Sequence, residues 1–198
     1  MVAHGGKLYR IGGFTAENSE GEDHRLVSQS DVARFDPKVG KWEQLPPLPE
    51  CRSSHDAAVV GKAIIVVGGW RLNGDEEKVW HSTAWKMNLT ENDLRWKSIA
   101  APPFKRRALA LASHRGKLFV VGGMQDKGGP TTKVASYDLT SDRWSEGPPL
   151  VVELDSKSND GPREGMSSGR MAGFGASAFA AGGSLYVSTV QGRLQRLS

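Results

Sequence analysis

The chain has 198 residues, 38% of them hydrophobic and 24% charged, which allows one globular domain with a sizeable core and excludes disorder by composition. Its 26 basic and 22 acidic residues leave a formal charge of +4, and no Lys or Arg run is interleaved with aromatics in the manner of a nucleic-acid groove. A single cysteine, Cys51, excludes an intrachain disulfide and a cysteine-based metal site, and no apolar run reaches the roughly 18 residues of a membrane span.

The 24 glycines and 10 prolines suit many short strands joined by turns. The chain opens with Met1-Val2-Ala3-His4, which reads as the end of a first strand. A second strand follows in Gly6-Lys7-Leu8-Tyr9-Arg10-Ile11-Gly12-Gly13, and the polar segment 14–29 reads as a loop. A third strand carries Val32-Ala33-Arg34-Phe35-Asp36, and a fourth carries Trp42. Pro46-Pro47-Leu48 closes the unit.

The same order then returns twice. The second strand recurs as Gly61-Lys62-Ala63-Ile64-Ile65-Val66-Val67-Gly68-Gly69 and as Gly116-Lys117-Leu118-Phe119-Val120-Val121-Gly122-Gly123. The third recurs around Met87-Asn88 and Tyr137-Asp138, the tryptophan as Trp96 and Trp144, and the proline pair as Pro102-Pro103-Phe104 and Pro148-Pro149-Leu150. The double glycines begin at 12, 68 and 122, so the period is 56 and then 54 residues. Four columns in one order in three copies define an internal repeat. Each first strand is small and apolar, as in 57–60 and 108–112. The second strands at 64–67 and 118–121 are continuous apolar runs, the pattern of a strand covered on both faces. The Asp36, Asn88 and Asp138 positions supply turn chemistry between the third and fourth strands. Segment 71–81 reads as a second polar loop. The aromatic columns read as core packing.

These residues resemble the kelch-repeat family of β-propellers, which includes the galactose oxidase-like propellers: a double glycine after an apolar strand, an aromatic before Asp, then a tryptophan, at a period near 50 residues. The resemblance is strong over about 1–150 and weaker in a fourth unit that runs through Gly182-Gly183-Ser184-Leu185-Tyr186-Val187, where Thr189-Val190 replaces the double glycine. It implies an all-β kelch β-propeller of about three and a half four-stranded blades. Blade 1 spans 1–49 and lacks most of its first strand. Blade 2 spans 50–104, blade 3 105–150, a loop insertion 151–169, and a partial blade 4 170–198. Since propellers have 4–8 blades, the count predicts a piece of a longer ring. A four-bladed ring, or a half-ring pairing with a second copy, are the alternatives. Open blade edges predict self-association.

The segment leading into each first strand holds arginine: Arg52 before Ser53-Ser54-His55, Arg106 and Arg107 before Ala108, and Arg170 before Met171. Guanidinium forks suit carboxylates and phosphates. By resemblance to kelch propellers that take acidic peptides, Arg52, Arg107 and Arg170 are the first ligand-binding candidates. Arg106, Ser53, Ser54 and His55 stand behind them. Arginine there can equally bond backbone carbonyls. No catalytic residues, cofactor or metal are assigned, for the chain has no P-loop, nucleophile elbow or zinc-ligand spacing. The expected function is a binding scaffold for a protein partner, with an acidic motif as the partner's feature. The alternative is a carbohydrate-active enzyme of the sialic acid mutarotase type, with His55 beside Arg52 as its only tempting pair.

Overall fold

The structure is a computed structural model that describes residues 1–151, 173–189 and 194–197. Most of the insertion assigned to 151–169, and Arg170, lie outside the described residues. Two compact units are present, Met1–Arg107 and Ala108–Ser198. Among the described residues there is no helix.

The first unit holds two four-stranded antiparallel sheets. The first is β1 (Val2–His4), β2 (Lys7–Ala16), β3 (Leu26–Asp36) and β4 (Lys41–Leu45), in that spatial order. The second contains β5 (Asp56–Val60), β6 (Ala63–Val67), β9 (Ala84–Asn88) and β10 (Trp96–Ser98), again in chain order across the sheet. Between β6 and β9 the chain projects a two-stranded ribbon, β7 (Trp70–Arg71) and β8 (Val79–Trp80). The short strand β11 (Arg106–Arg107) ends the unit.

The second unit repeats the plan with β12 (Ala110–His114), β13 (Lys117–Val121), β15 (Val134–Asp138) and β16 (Arg143–Gly147), the two-residue β14 (Met124–Gln125) following β13. A three-stranded sheet of β17 (Ser177–Ala181), β18 (Ser184–Ser188) and β19 (Leu194–Leu197) comes last. Among the described residues, three four-stranded sheets and one of three strands match the expected three and a half blades.

Register follows the repeat columns. Phe35 faces Trp42, Met87 faces Trp96 and Tyr137 faces Trp144, each as a directly opposed cross-strand pair. The rings of Phe35 and Trp42 stand 5.2 Å apart, and those of Tyr137 and Trp144 stand 5.0 Å apart, within the range of favourable aromatic contact. The hairpin turns are held by the acidic or amide residue just before them. Asp36 Oδ1 accepts the Lys38 amide at 3.0 Å, Asn88 Oδ1 the Thr90 amide at 3.1 Å, and Asp138 Oδ1 the Thr140 amide at 2.9 Å. Lys7 and Asp36 pair at 3.0 Å and Lys117 and Asp138 at 3.6 Å, so the lysine and acid columns of the repeat meet across the strands. His4 and His114 are equivalent, each opposite the lysine that starts the next strand.

Burial drives each sheet against its neighbour. Tyr9, Ile11, Val32, Leu45 and Leu48 of the first sheet and its tail pack on Ala57, Ile64 and Val66 of the second. In the second unit Ala110, Val121, Val134 and Leu150 form a core with Val187. Each fully buried aliphatic side chain contributes roughly 1.5–3 kcal/mol. All five residues of β6 are buried, as its unbroken apolar run requires.

The structure corrects two readings of loops. Segment 14–29 is narrower than the sequence implies: β2 runs on to Ala16, with Gly13 opposite Gln29 and Ala16 opposite Leu26. Gly12 and Gly13, both at positive φ, form a bulge rather than a strand end, and the ladder resumes beyond it. Segment 71–81 is in part the β7–β8 ribbon, paired Trp70 to Trp80 and Arg71 to Val79.

Candidate functional site

The double glycines explain where the arginines sit. The second glycine of each pair donates its amide to a carbonyl of the segment leading into the next first strand. Gly13 bonds Arg52 O at 2.9 Å, Gly69 bonds Arg106 O at 2.8 Å, and Gly123 bonds Gly173 O at 2.8 Å. A Cβ on Gly12 would stand 2.6 Å from Arg52 O, so the approach needs glycine. Two residues past each accepting carbonyl the backbone turns left-handed, at Ser54 (φ 51°), Ala108 (φ 49°) and Gly175 (φ 61°). Arg52, Arg106 and Gly173 are therefore equivalent, and so are Ser53, Arg107 and Phe174. The sequence pattern placed Arg107 and Arg170 in the Arg52 column; the geometry places Arg106 and Gly173 there.

Arg52 is fully buried and its guanidinium is spent on the protein itself. Nη1 donates to the carbonyls of Gly68 at 2.8 Å and Thr83 at 3.0 Å. Nη2 donates to Glu50 Oε2 at 2.8 Å and to the Thr83 hydroxyl at 2.5 Å. That hydroxyl and the Trp85 indole N–H donate to the same Glu50 oxygen, at 2.5 and 3.0 Å. Burial works to raise the Glu50 carboxyl, but these bonds and the charges of His81 and Arg52 hold it below the ordinary carboxylate range. His81, also buried, donates from Nε2 to the Cys51 carbonyl at 3.0 Å and stands 3.7 Å from Glu50 Oε1 through Nδ1. Burial, followed by the Arg52 charge, lowers its pKa.

Arg106 is buried with its guanidinium 4.3 Å above the ring of Phe104. Phe104 stands two residues before Arg106, as Glu50 stands two before Arg52, so an aromatic face replaces a carboxylate. Ser53 is buried, its hydroxyl 2.8 Å from that of Ser28, and its backbone forms a bridge with Trp70 at 2.9 and 3.0 Å. His55 is partly buried against Gly12 and Gly69; burial first, then the charge of Arg52, pushes its imidazole down to about 3. It is neutral at physiological pH.

Arg107 differs from all of these. It is half-buried, and its guanidinium lies 4.0 Å from the ring centre of Trp70 and 5.6 Å from that of Trp80. Among the described residues no carboxylate pairs with it, and burial alone lowers its pKa. The two indoles meet edge to face at 5.4 Å. The Lys78 ammonium lies 5.5 Å from the Trp70 ring as well. Beside this platform is a cavity of about 490 Å³, lined by Trp70, Leu72, Leu26, His24, Glu76 and Lys78. Cation and indole together make a surface that can accept an anionic or planar group.

The structure thus brings Ser53 and Arg107 to one residue, Trp70, while Arg52 faces inward. Trp70, Trp80 and Lys78 were not singled out by sequence. The available signal was that Trp70 and Trp80 fall outside the repeat's tryptophan column, within a segment otherwise polar.

The KLHDC2/KLHL20/DRC7 Kelch-repeats domain family matches residues 1–178. The chain belongs to the kelch-repeat family. Mouse Kelch-like protein 35 is 29% identical over 157 residues, covering 79% of this chain and 24% of the relative. Beta-scruin of Limulus polyphemus is 25% identical over 152 residues, covering 73% of this chain and 16% of the relative. Human Kelch-like protein 13 is 29% identical over 104 residues, covering 52% and 16%. The chain therefore spans a quarter or less of these kelch proteins. Among solved structures, one titled "Structure of YjhT" matches with a TM-score of 0.65 at 18% identity, covering 92% of this chain and 56% of that one. At that identity the likeness speaks for the fold alone, an all-β kelch propeller architecture.

Proposed function

We propose that the chain is a kelch binding module that takes an acidic segment of a protein partner on the platform formed by Arg107, Trp70 and Trp80. The observation that carries this reading is the Arg107 guanidinium, half-buried on two indoles with no carboxylate partner among the described residues. A partly desolvated cation in that position gains from an incoming anion. Lys78, its ammonium 5.5 Å from the Trp70 ring centre, adds a second positive charge. Arg52 takes no direct part, since its donors are occupied within the fold. For the same reason the Arg52–His55 pair offers little to a sugar carboxylate, and His55 is poorly suited to proton shuttling near neutrality, with a pKa of about 3.

The test is titration with a hexaglutamate peptide, with hexaglutamine as the uncharged control, followed by tryptophan fluorescence. The reading expects a response to hexaglutamate alone, weakened by salt and lost in Arg107→Ala. Equal responses to both peptides, or an unchanged response in Arg107→Ala, would refute it.

A further inference from the structure

The ribbon that presents Trp70 and Trp80 leaves the second sheet after Gly68 and rejoins it at Thr83. Two adjacent points at its base are bound by a single side chain: Arg52 Nη1 donates to Gly68 O at 2.8 Å and to Thr83 O at 3.0 Å. The other half of the guanidinium locks onto Glu50, and Thr83 is bonded to Glu50 in turn. Above this neck, the His81 amide donates to Gly69 O at 3.1 Å, and the Trp70 backbone bridges Ser53. The ribbon is therefore tied to the segment 50–53 by the Arg52 fork at its root, by the Trp70–Ser53 bridge and by the bond from His81 Nε2 to Cys51 O, and the His81 amide joins its two arms at Gly69.

We infer that Arg52 is a positioning residue that closes the neck of the ribbon and so sets the mutual placement of Trp70 and Trp80. A fork is suited to this role because it holds two carbonyls and a carboxylate in one plane, which a single ammonium cannot do. The equivalent residue in the last repeat is Gly173, which has no side chain, and Arg106 has an aromatic where Arg52 has Glu50. The inference concerns the ribbon's conformation, not what binds it, so it stands or falls independently of the acidic-partner reading.

Amide hydrogen exchange on the full chain tests it, comparing wild type with Arg52→Met, Arg52→Lys and Thr83→Val. The expected result in Arg52→Met is exchange at Trp70 and His81 roughly tenfold faster than any general rise shared by Ile64 and Ile65 of β6. Arg52→Lys should loosen the ribbon nearly as much. Unchanged exchange at Trp70 and His81, an equal rise across β6, or full restoration by lysine would each overturn the inference. Should Arg52→Met fail to fold, Thr83→Val decides by the same criterion: selective loosening of the ribbon supports the clamp, and uniform or absent change refutes it.

Discussion

Trp96 donates its indole N–H to the carbonyl of Pro46, 3.0 Å away and 50 residues earlier in the chain. The bond joins two of the repeat's columns, the tryptophan of the second sheet and the proline pair that follows the first. The Pro46 carbonyl accepts one donor here, and the indole brings that donor on a large apolar body.

Replacing Trp96 by Phe removes that donor and part of the packing. The expected loss is about 1–2 kcal/mol of unfolding free energy in urea melts. Trp42 occupies the same column but is 51% exposed, and its contact is with Phe35. Trp42→Phe is expected to cost under about 1 kcal/mol. Equal losses at the two positions would contradict this account of the column.

The two arginines assign themselves to different roles, and stability measurements separate them. Arg52→Ala strands a partly buried Glu50 and two backbone carbonyls, so it should cost about 3–5 kcal/mol in thermal or urea unfolding. Arg107→Ala removes a cation resting on two indoles and should cost about 1 kcal/mol.

Acid should weaken the fold before carboxylates titrate. His55 is held down to about 3 in the folded chain, mainly by burial, against about 6.5 for an ordinary imidazole. The unfolded chain therefore takes up the proton first. The stability that His55 contributes is complete above pH about 6.5 and is lost as pH falls through the window from there to about 3. The slope is up to about 1.4 kcal/mol per unit, so unfolding at pH 5 should need about 2 kcal/mol less than at pH 7. His81, lowered chiefly by burial, acts in the same direction. His55→Asn should flatten the pH dependence of the urea midpoint; an unchanged slope would remove His55 from the explanation.

The repeat was legible because its marker residues are those with the strongest local consequences. Glycine at positive φ, Asx residues at hairpin turns and large aromatics opposite one another each fix register, and they recur in order. The bulge at Gly12–Gly13 was not legible, because a strand that ends at glycines and one that bulges through them read alike until the partner strand is known. The arginine alignment slipped by one residue. Lys105-Arg106-Arg107 offers two candidates, and only the amide of Gly69 on Arg106 O distinguishes them. The platform was hidden because its parts are distant in sequence: Arg107 lies 37 positions from Trp70, within a polar stretch that gives no periodic signal.

The most direct measurement of the central claim is a ¹H–¹⁵N map of the six tryptophan indole N–H groups during titration with hexaglutamate. Trp70 and Trp80 should shift, while Trp85 and Trp96, bonded to Glu50 and Pro46, should stay in place. Shifts confined to Trp85, Trp96 or Trp42, with Trp70 and Trp80 unmoved at saturation, would contradict it.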